Sequence, residues 1–327
     1  MIRRLPDITR TFNSLGKLSI FTGNANPQMA LRICDSLKLS RGEAEVFHFP
    51  NENIFVKIEE TVREDDVFVV QPLTSPVNTS IMEMLILIDA LKRASAARIT
   101  GVIPYYAYGR SDKKDQPRVP ITARLLADLL TTAGAHRILT MDLHAGQIQG
   151  FFNIPVDELS AIALLSRYMV DKQLEDPVVV AADLGAAKRA RNFATRIDAS
   201  LAFVEKRRSS RNDSTSEALN IIGDVAGRTA IVFDDEIDTA GTVTQAAHLL
   251  RGAGVLDLLV CCVHGVFSDP AIERLQDPAI TEVVTTDTVP LPGGKHLDKI
   301  TVLSVAPLLA QAIERIHVGG SVGELFM

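Results

Sequence analysis

Short hydrophobic runs recur along the chain, and most of them do not alternate with polar residues. DVFVVQ (66–71), RITGVIP (98–104), RILTMDL (137–143), PVVVAAD (177–183), TAIVFDD (229–235) and LLVCCVHG (258–265) are near-continuous apolar stretches of strand length. LSIFTG (18–23), AEVFHF (44–49) and SLAFVE (200–205) complete the series. Such runs are expected of strands buried on both faces of a mostly parallel sheet. Between them the spacing changes to that of amphipathic helices, as in SIMEMLILIDALKRAS (80–95) and PITARLLADLLTTAG (120–134). The alternation predicts an α/β fold with its functional loops at the C-terminal ends of the strands.

A weak internal repeat runs through the pattern. LLTTAGAHRILTMDLHA (129–145) aligns without gaps on LLRGAGVLDLLVCCVHG (249–265) at an offset of 120, setting His144 against His264. The strands just upstream align at an offset of 130, with Val102-Ile103 against Val232-Phe233. This reading gives two similar α/β units. The first carries extra residues within YYAYGRSDKKDQPRVP (105–120), where the second has FDDEIDTAGT (233–242).

Composition narrows the class. A chain of 327 residues is long enough for two domains, each with its own core. Hydrophobic content of 46% and charged content of 23% fit a globular protein, and a net charge of −6 argues against a sequence-blind nucleic-acid surface. Three cysteines without metal-ligand spacing argue against a disulfide scaffold and fit a reducing cytoplasm. No run approaches the roughly 18 apolar residues of a transmembrane helix, and the first ten residues have no apolar signal core. The expectation is a cytoplasmic protein without a membrane or nucleic-acid partner.

FDDEIDTAGT carries the clearest chemistry. Asp234, Asp235, Glu236 and Asp238 crowd four carboxylates into five residues, ahead of the turn Thr239-Ala240-Gly241-Thr242. The flanks read as a buried strand and as a helix with Val243, Ala246, Ala247, Leu249 and Leu250 apolar, ending near Gly252 or Gly254. The turn therefore sets free backbone amides and two hydroxyls at a helix N-terminus, where an anion is favoured. A simple cap by Asp238 or Thr239 accounts for the turn but not for the acids at the strand's end. Adjacent carboxylates accept well from a sugar diol or from waters on Mg2+. A Walker-type site is excluded, because the chain has no GxxxxGK[ST].

The decapeptide closely resembles the phosphoribosyl-diphosphate loop shared by type I phosphoribosyltransferases and ribose-phosphate pyrophosphokinases. Three further segments resemble the pyrophosphokinases alone: MDLHAGQIQGFFNIPVDEL (141–159), PYYAYGRSDKKDQPRVPITARLLADLL (104–130) and VEKRRSSRNDSTSEALNIIGDVAGR (204–228). SPVNTSIMEMLILIDALKRASA (75–96) matches as well, so the resemblance spans the chain from about residue 18 to Phe326. It implies two similar type I phosphoribosyltransferase-like domains, each a mostly parallel sheet flanked by helices. The first would be 15–158, joined by 310–327, and the second 159–309. The implied reaction moves the diphosphoryl group of ATP to the 1-hydroxyl of ribose 5-phosphate, with Mg2+ as cofactor.

By the same resemblance Lys206 and Arg208 are catalytic. Arg208, Asp234, Asp235, Asp238, Thr239, Ala240, Gly241 and Thr242 bind ribose 5-phosphate. Phe49, Asn51, Asn53, Arg110, Ser111, Asp112, Lys113 and His144 bind ATP, and His144 and Asp183 hold the metal. Arg110, Lys113, Lys114 and Arg118 would close over the triphosphate. The family forms hexamers, which implies a homo-oligomer here. The sequence departs from the commoner pattern at Asn53 (for Glu), Ser111 (for Gln), Asn153 (for Asp) and Ala186 (for Gly). It also has Thr61-Val62-Arg63 and Ser304-Val305-Ala306-Pro307 where the family's regulatory site has Ser-x-Arg and Ser-Val-Gly-Pro. Two alternatives stay open on these residues: a catalytically weak paralogue that regulates an active enzyme, and a phosphoribosyltransferase sharing only the 233–242 loop.

Overall fold

The computed structural model describes residues 16–183, 185–207, 218–291 and 297–326. The chain divides into two compact units. The first comprises the described residues of Met1–Thr140, Gln147–Glu158 and Ala306–Met327, and the second those of Met141–Gly146 and Leu159–Val305.

In the first half of the chain the elements are β1 (Leu18–Thr22), α1 (Pro27–Leu37), β2 (Ala44–His48), β3 (Ile54–Ile58), β4 (Asp66–Val70) and α2 (Val77–Arg93). Then come β5 (Arg98–Ile103), α3 (Thr122–Ala133), β6 (Arg137–Met141), a 3-10 turn at Gly146–Phe151 and β7 (Val156–Leu159). The sheet order is β1-β4-β5-β6-β7, with β2 and β3 forming a separate antiparallel hairpin. The pairs β1–β4, β4–β5 and β5–β6 are parallel. Local chemistry sets the helix ends. Pro27 opens α1 behind Asn26, whose side chain accepts from Met29 N at 3.2 Å.

The chain continues with α4 (Ile162–Asp171), β8 (Pro177–Ala181), α5 (Ala187–Arg196), β9 (Ser200–Arg207), β10 (Ala218–Ile222) and β11 (Thr229–Ile237). It ends with α6 (Gly241–Gly252), β12 (Asp257–Gly265), α7 (Ala271–Leu275), β13 (Glu282–Thr286), β14 (Ile300–Leu303) and α8 (Ala306–Val318). The seven-stranded sheet runs β10-β9-β8-β11-β12-β13-β14, antiparallel only at β9–β10 among its pairs. Val178, Val179, Val180 and Ala181 are all fully buried, which explains the absence of alternation in that run. Phe193 of α5 stacks on Phe233 of β11 with ring centroids 4.4 Å apart.

Each unit contains a helix that follows the other unit's last strand in the chain. The chain leaves β7 for α4, which belongs to the second unit, and leaves β14 for α8, which belongs to the first. The same device stands at both crossings. Asp142 Oδ1 accepts from Ser160 Oγ at 2.8 Å and its Oδ2 from Ala161 N at 2.7 Å. Asp287 Oδ2 accepts from Ser304 Oγ at 2.6 Å and its Oδ1 from Val305 N at 2.8 Å. In the first unit α8 is secured by buried Asp66, which pairs with Arg98 and accepts from His317 Nδ1 at 2.8 Å.

These facts confirm an α/β fold of two similar units but correct the register of the repeat. The strand orders match β1, β4, β5, β6 and β7 to β8, β11, β12, β13 and β14, and Asp142 corresponds to Asp287. The partner of FDDEIDTAGT is therefore the β4–α2 corner, QPLTSPV (71–77), rather than the basic loop after β5. The offset-120 alignment slid one strand along the sheet. Helix–strand units of such sheets share the same apolar template, so a one-unit shift preserves most matches.

Candidate active site

In the second unit β8 leads through α5 to β9 on one side, while β11 leads through α6 to β12 on the other. The strand order reverses between β8 and β11, and α/β sheets bind ligands at the carboxyl ends of such a pair. Asp183 follows β8, and Asp234 and Asp235 lie at the end of β11. No comparable reversal occurs in the order of the first sheet.

β11 extends to Ile237, two residues past the sequence-based estimate, because β12 stays paired with it through Gly265. The helix cap is Ala240, in the left-handed conformation at φ 59°, rather than Asp238 or Thr239. An alanine side chain offers no oxygen to the first-turn amides, so these donors are left for an external acceptor. The turn is held from behind by Arg274, whose Nη1 donates to Thr239 O at 2.9 Å. A Cβ on Gly241 would stand only 3.2 Å from that same nitrogen, which favours glycine at the position.

The carboxylates divide by environment. Asp235 is buried, with Oδ1 3.0 Å from Arg189 Nη2 and Oδ2 2.9 Å from His144 Nδ1. Burial alone would raise its pKa. The hydrogen bonds from His144 and Asp234, with the Arg189 charge, outweigh burial and hold Asp235 well below the usual carboxylate range. Asp234 accepts from Asp235 N at 2.8 Å. Burial pushes its carboxyl up to about 8, and the hydrogen bond with Asp235 and the charges of Asp235 and Asp183 act in the same direction. Asp183 is exposed, and its Oδ1 caps the turn into α5 by accepting from Ala186 N at 2.9 Å.

Arg189 is the residue that sequence reasoning missed. Besides Asp235, its Nη1 reaches the carbonyls of His144 at 2.9 Å and Leu143 at 3.4 Å, so one guanidinium joins the β6 exit to β11. Its position in the first turn of α5, six residues after Asp183, was the available signal. Among basic residues scattered through KRARNFATR it had nothing to distinguish it.

The residues tied to ATP by resemblance, other than His144, lie in the first unit. Phe49 is exposed, its ring 5.1 Å from Phe47 and 5.8 Å from Phe55 at the end of the β2–β3 hairpin. Asn51 Oδ1 accepts from Asn53 N at 3.2 Å within that hairpin's turn. Arg110 and Lys113 are exposed, whereas Asp112 is buried and accepts from Gln147 Nε2 at 2.6 Å. Ser111 O accepts from Ala123 N at 3.3 Å, anchoring the loop to α3. Arg208 lies outside the described residues, and Lys206 is described only as a backbone position in β9.

Among the described residues no group of three His, Cys, Asp or Glu forms a metal cage. The site nevertheless suits a hard divalent cation shared with phosphate. The charge of Asp183 helps to raise Asp234, a penalty that a cation would lift, and Mg2+ is commonly held by one or two carboxylates plus phosphates and waters. The Asp235–His144 bond fixes the ring through Nδ1, so that Nε2 is the nitrogen that could ligate, a common arrangement around metals. No helix among the described residues is long and apolar enough to cross a membrane.

Comparison with known proteins agrees with this geometry. A family model for the N-terminal domain of ribose phosphate pyrophosphokinase matches residues 18–134, and one for a phosphoribosyl synthetase-associated domain matches 210–327. The chain is 55% identical over 310 residues to a ribose-phosphate pyrophosphokinase of Caldanaerobacter subterraneus subsp. tengcongensis, covering 94% of this chain and 98% of that one. A relative of the same description from Clostridium perfringens is 53% identical over 308 residues, covering 93% and 96%. The crystal structure of phosphoribosylpyrophosphate synthetase from Mycobacterium smegmatis matches with a TM-score of 0.87 at 44% identity, covering 93% of this chain and all of that one.

Proposed function

The chain belongs to the ribose-phosphate pyrophosphokinase family, and on that premise we propose that it is the enzyme transferring the diphosphoryl group of ATP to the 1-hydroxyl of ribose 5-phosphate. The products are phosphoribosyl diphosphate and AMP. The observation that carries this reading is the β11–α6 corner: uncapped helix amides beside a carboxylate pair, at the switch point of the sheet.

Each residue has a physical task in this scheme. The amides of Gly241 and Thr242, with the hydroxyls of Thr239 and Thr242, hold the 5-phosphate at the positive end of α6. Asp234 and Asp238 accept from the ribose hydroxyls, while Asp235, engaged by Arg189 and His144, orients that imidazole. Phe49, Asn51 and Asn53 hold the base, and Arg110, Ser111 and Lys113 the ATP phosphates, with Asp112 fixing this ATP loop through Gln147. Lys206 and Arg208 stabilise charge on the transferring group, which is the main demand of in-line phosphoryl chemistry. His144 and Asp183 hold Mg2+, which neutralises phosphate oxygens when bound. The first unit carries the nucleotide residues other than His144, and the second carries His144 and the sugar residues. We further assign a cytoplasmic homo-oligomer, a hexamer by the family resemblance.

A nucleotide-product assay tests the reading. AMP is expected from ATP only when ribose 5-phosphate and Mg2+ are both present. ADP as the sole nucleotide product would overturn it.

A further inference from the structure

His144 owes its place to the backbone that precedes it. The chain leaves β6 at Met141 and turns at Asp142, whose φ of 38° falls in the left-handed region. Few residues other than glycine adopt that region without support, though aspartate is among the more tolerant. The support is extensive. Asp142 N donates to Leu159 O at 3.0 Å, and the carboxylate holds Ser160 and Ala161. The Asp142 carbonyl accepts from Nε2 of His264 at 3.1 Å. Arg189 then holds the carbonyls of Leu143 and His144, so each carbonyl from 142 to 144 has a named donor.

His264 is buried near the end of β12, with Nδ1 2.9 Å from Thr288 Oγ1. A carbonyl can only accept, so Nε2 carries the ring proton. Burial holds the imidazole down to about 4, which keeps it neutral, despite the Asp142 bond acting the other way. Nδ1 is then an acceptor, and the Thr288 hydroxyl donates to it. Thr288 Oγ1 also lies 3.2 Å from Val263 O, a carbonyl that Thr286 Oγ1 already serves at 2.8 Å. Burying an imidazole is costly unless both nitrogens are satisfied, and here each has a fitted partner.

We propose that His264 is a positioning residue: its Nε2–H bond to the Asp142 carbonyl holds the turn that sets His144 against Asp235, and Thr288 satisfies Nδ1 and so holds the ring in place for this bond. The two histidines that the sequence repeat aligned thus serve one function from different places, His144 at the site and His264 behind it. The proposal rests on the reading of His144 as part of the active site.

The test uses the full chain with His264→Phe, His264→Gln and Thr288→Val. The readouts are the imidazole nitrogen resonances of His144, assigned with His144→Asn, and steady-state AMP formation. In His264→Phe and Thr288→Val the His144 resonances are expected to shift. In both variants kcat should fall by about tenfold or more while the KM for ribose 5-phosphate stays within about threefold. His264→Gln, which offers an amide N–H and a carbonyl, should recover most of the lost kcat. Thr288→Val is nearly isosteric and keeps the test valid should His264→Phe not fold. Unmoved His144 resonances in folded Thr288→Val would overturn the proposal. Shifted resonances with unaltered AMP formation would overturn the placement of His144 in the reaction, leaving its link to His264 standing.

Discussion

Asn24 and Gln71 in the first unit stand where Asp183 and Asp234 stand in the second. In the first sheet Thr22 pairs with Val70, and in the second Ala181 pairs with Phe233. Asn24 and Asp183 each lie two residues beyond their strand's last pair, and Gln71 and Asp234 each lie one beyond. In the first unit this corner is closed. Buried Glu83 accepts from Asn24 Nδ2 at 2.8 Å, Asn24 N at 2.9 Å and Gln71 Nε2 at 2.8 Å, and lies 3.3 Å from His48 Nε2. Gly23 leaves the room for Gln71, whose side-chain amide would stand 2.7 Å from a Cβ there. In the second unit the same corner keeps carboxylates that repel one another, with Asp234 pushed up to about 8 largely by burial. One corner has satisfied its polar groups internally. The other keeps Asp183 exposed and Asp234 raised beside it, an arrangement that an external cation or sugar would relieve.

Four experiments sharpen or break this contrast. The largest effect should follow neutralisation of the open corner: Asp183→Asn and Asp234→Asn each lower the kcat/KM for AMP formation by about 10²–10³-fold, the usual scale for removing a charge aimed at reacting groups. Asn24→Ala at the matching place should leave the rate within about threefold, and a comparable loss there would end the distinction. Next, Glu83→Ala strands buried donors and should cost about 3 kcal/mol by thermal or denaturant unfolding. Glu83→Gln should cost less, because the shape and half of the acceptors remain.

The third experiment is a pH profile of stability without metal. A carboxyl raised in the folded state binds more protons folded than unfolded between its two pKa values. Asp234 therefore subtracts stability as pH rises from about 4 to about 8. Asp234→Asn lacks this loss, so its advantage in melting temperature should grow across that window and level off above it. A constant gap across pH would show that the raised pKa is not real. The smallest effect is expected from Arg189→Lys, which keeps the charge but loses the fork that spans Asp235 and two carbonyls. About tenfold in kcat and about 1 kcal/mol in stability are the expected losses.

Much of this was legible in the sequence, and the reasons differ by element. Most of the nine strand runs were visible because strands covered on both faces lose their polar alternation, and all nine are strands, including β2 in its exposed hairpin. β3, β7, β10, β13 and β14 were passed over. IFVKI and VDEL are short, and the antiparallel β9–β10 pair depends on a partner that a linear reading does not supply. α2 begins at Val77 rather than near residue 80, because Pro76 starts the helix and the apolar spacing takes hold only later. The β11–α6 corner was readable because acids followed by a small-residue turn make an unusual local pattern. Arg189, His264 and the Glu83 cluster were not, since each acts on residues between 12 and 122 positions away.

By itself, then, the sequence determined the class of fold, the acid-and-small-residue corner before α6 and the family, because these rest on local pattern and chain-long similarity. The tertiary structure alone decided which strand of one unit answers to which strand of the other. It also decided which of two adjacent aspartates is engaged by Arg189 and His144 and which is raised by burial, and that His264 bonds the turn leading to His144. Those questions turn on pairing, burial and hydrogen-bond geometry between distant residues. Two carboxylates side by side in the chain, or two histidines matched by a repeat, are chemically alike until the fold surrounds them differently.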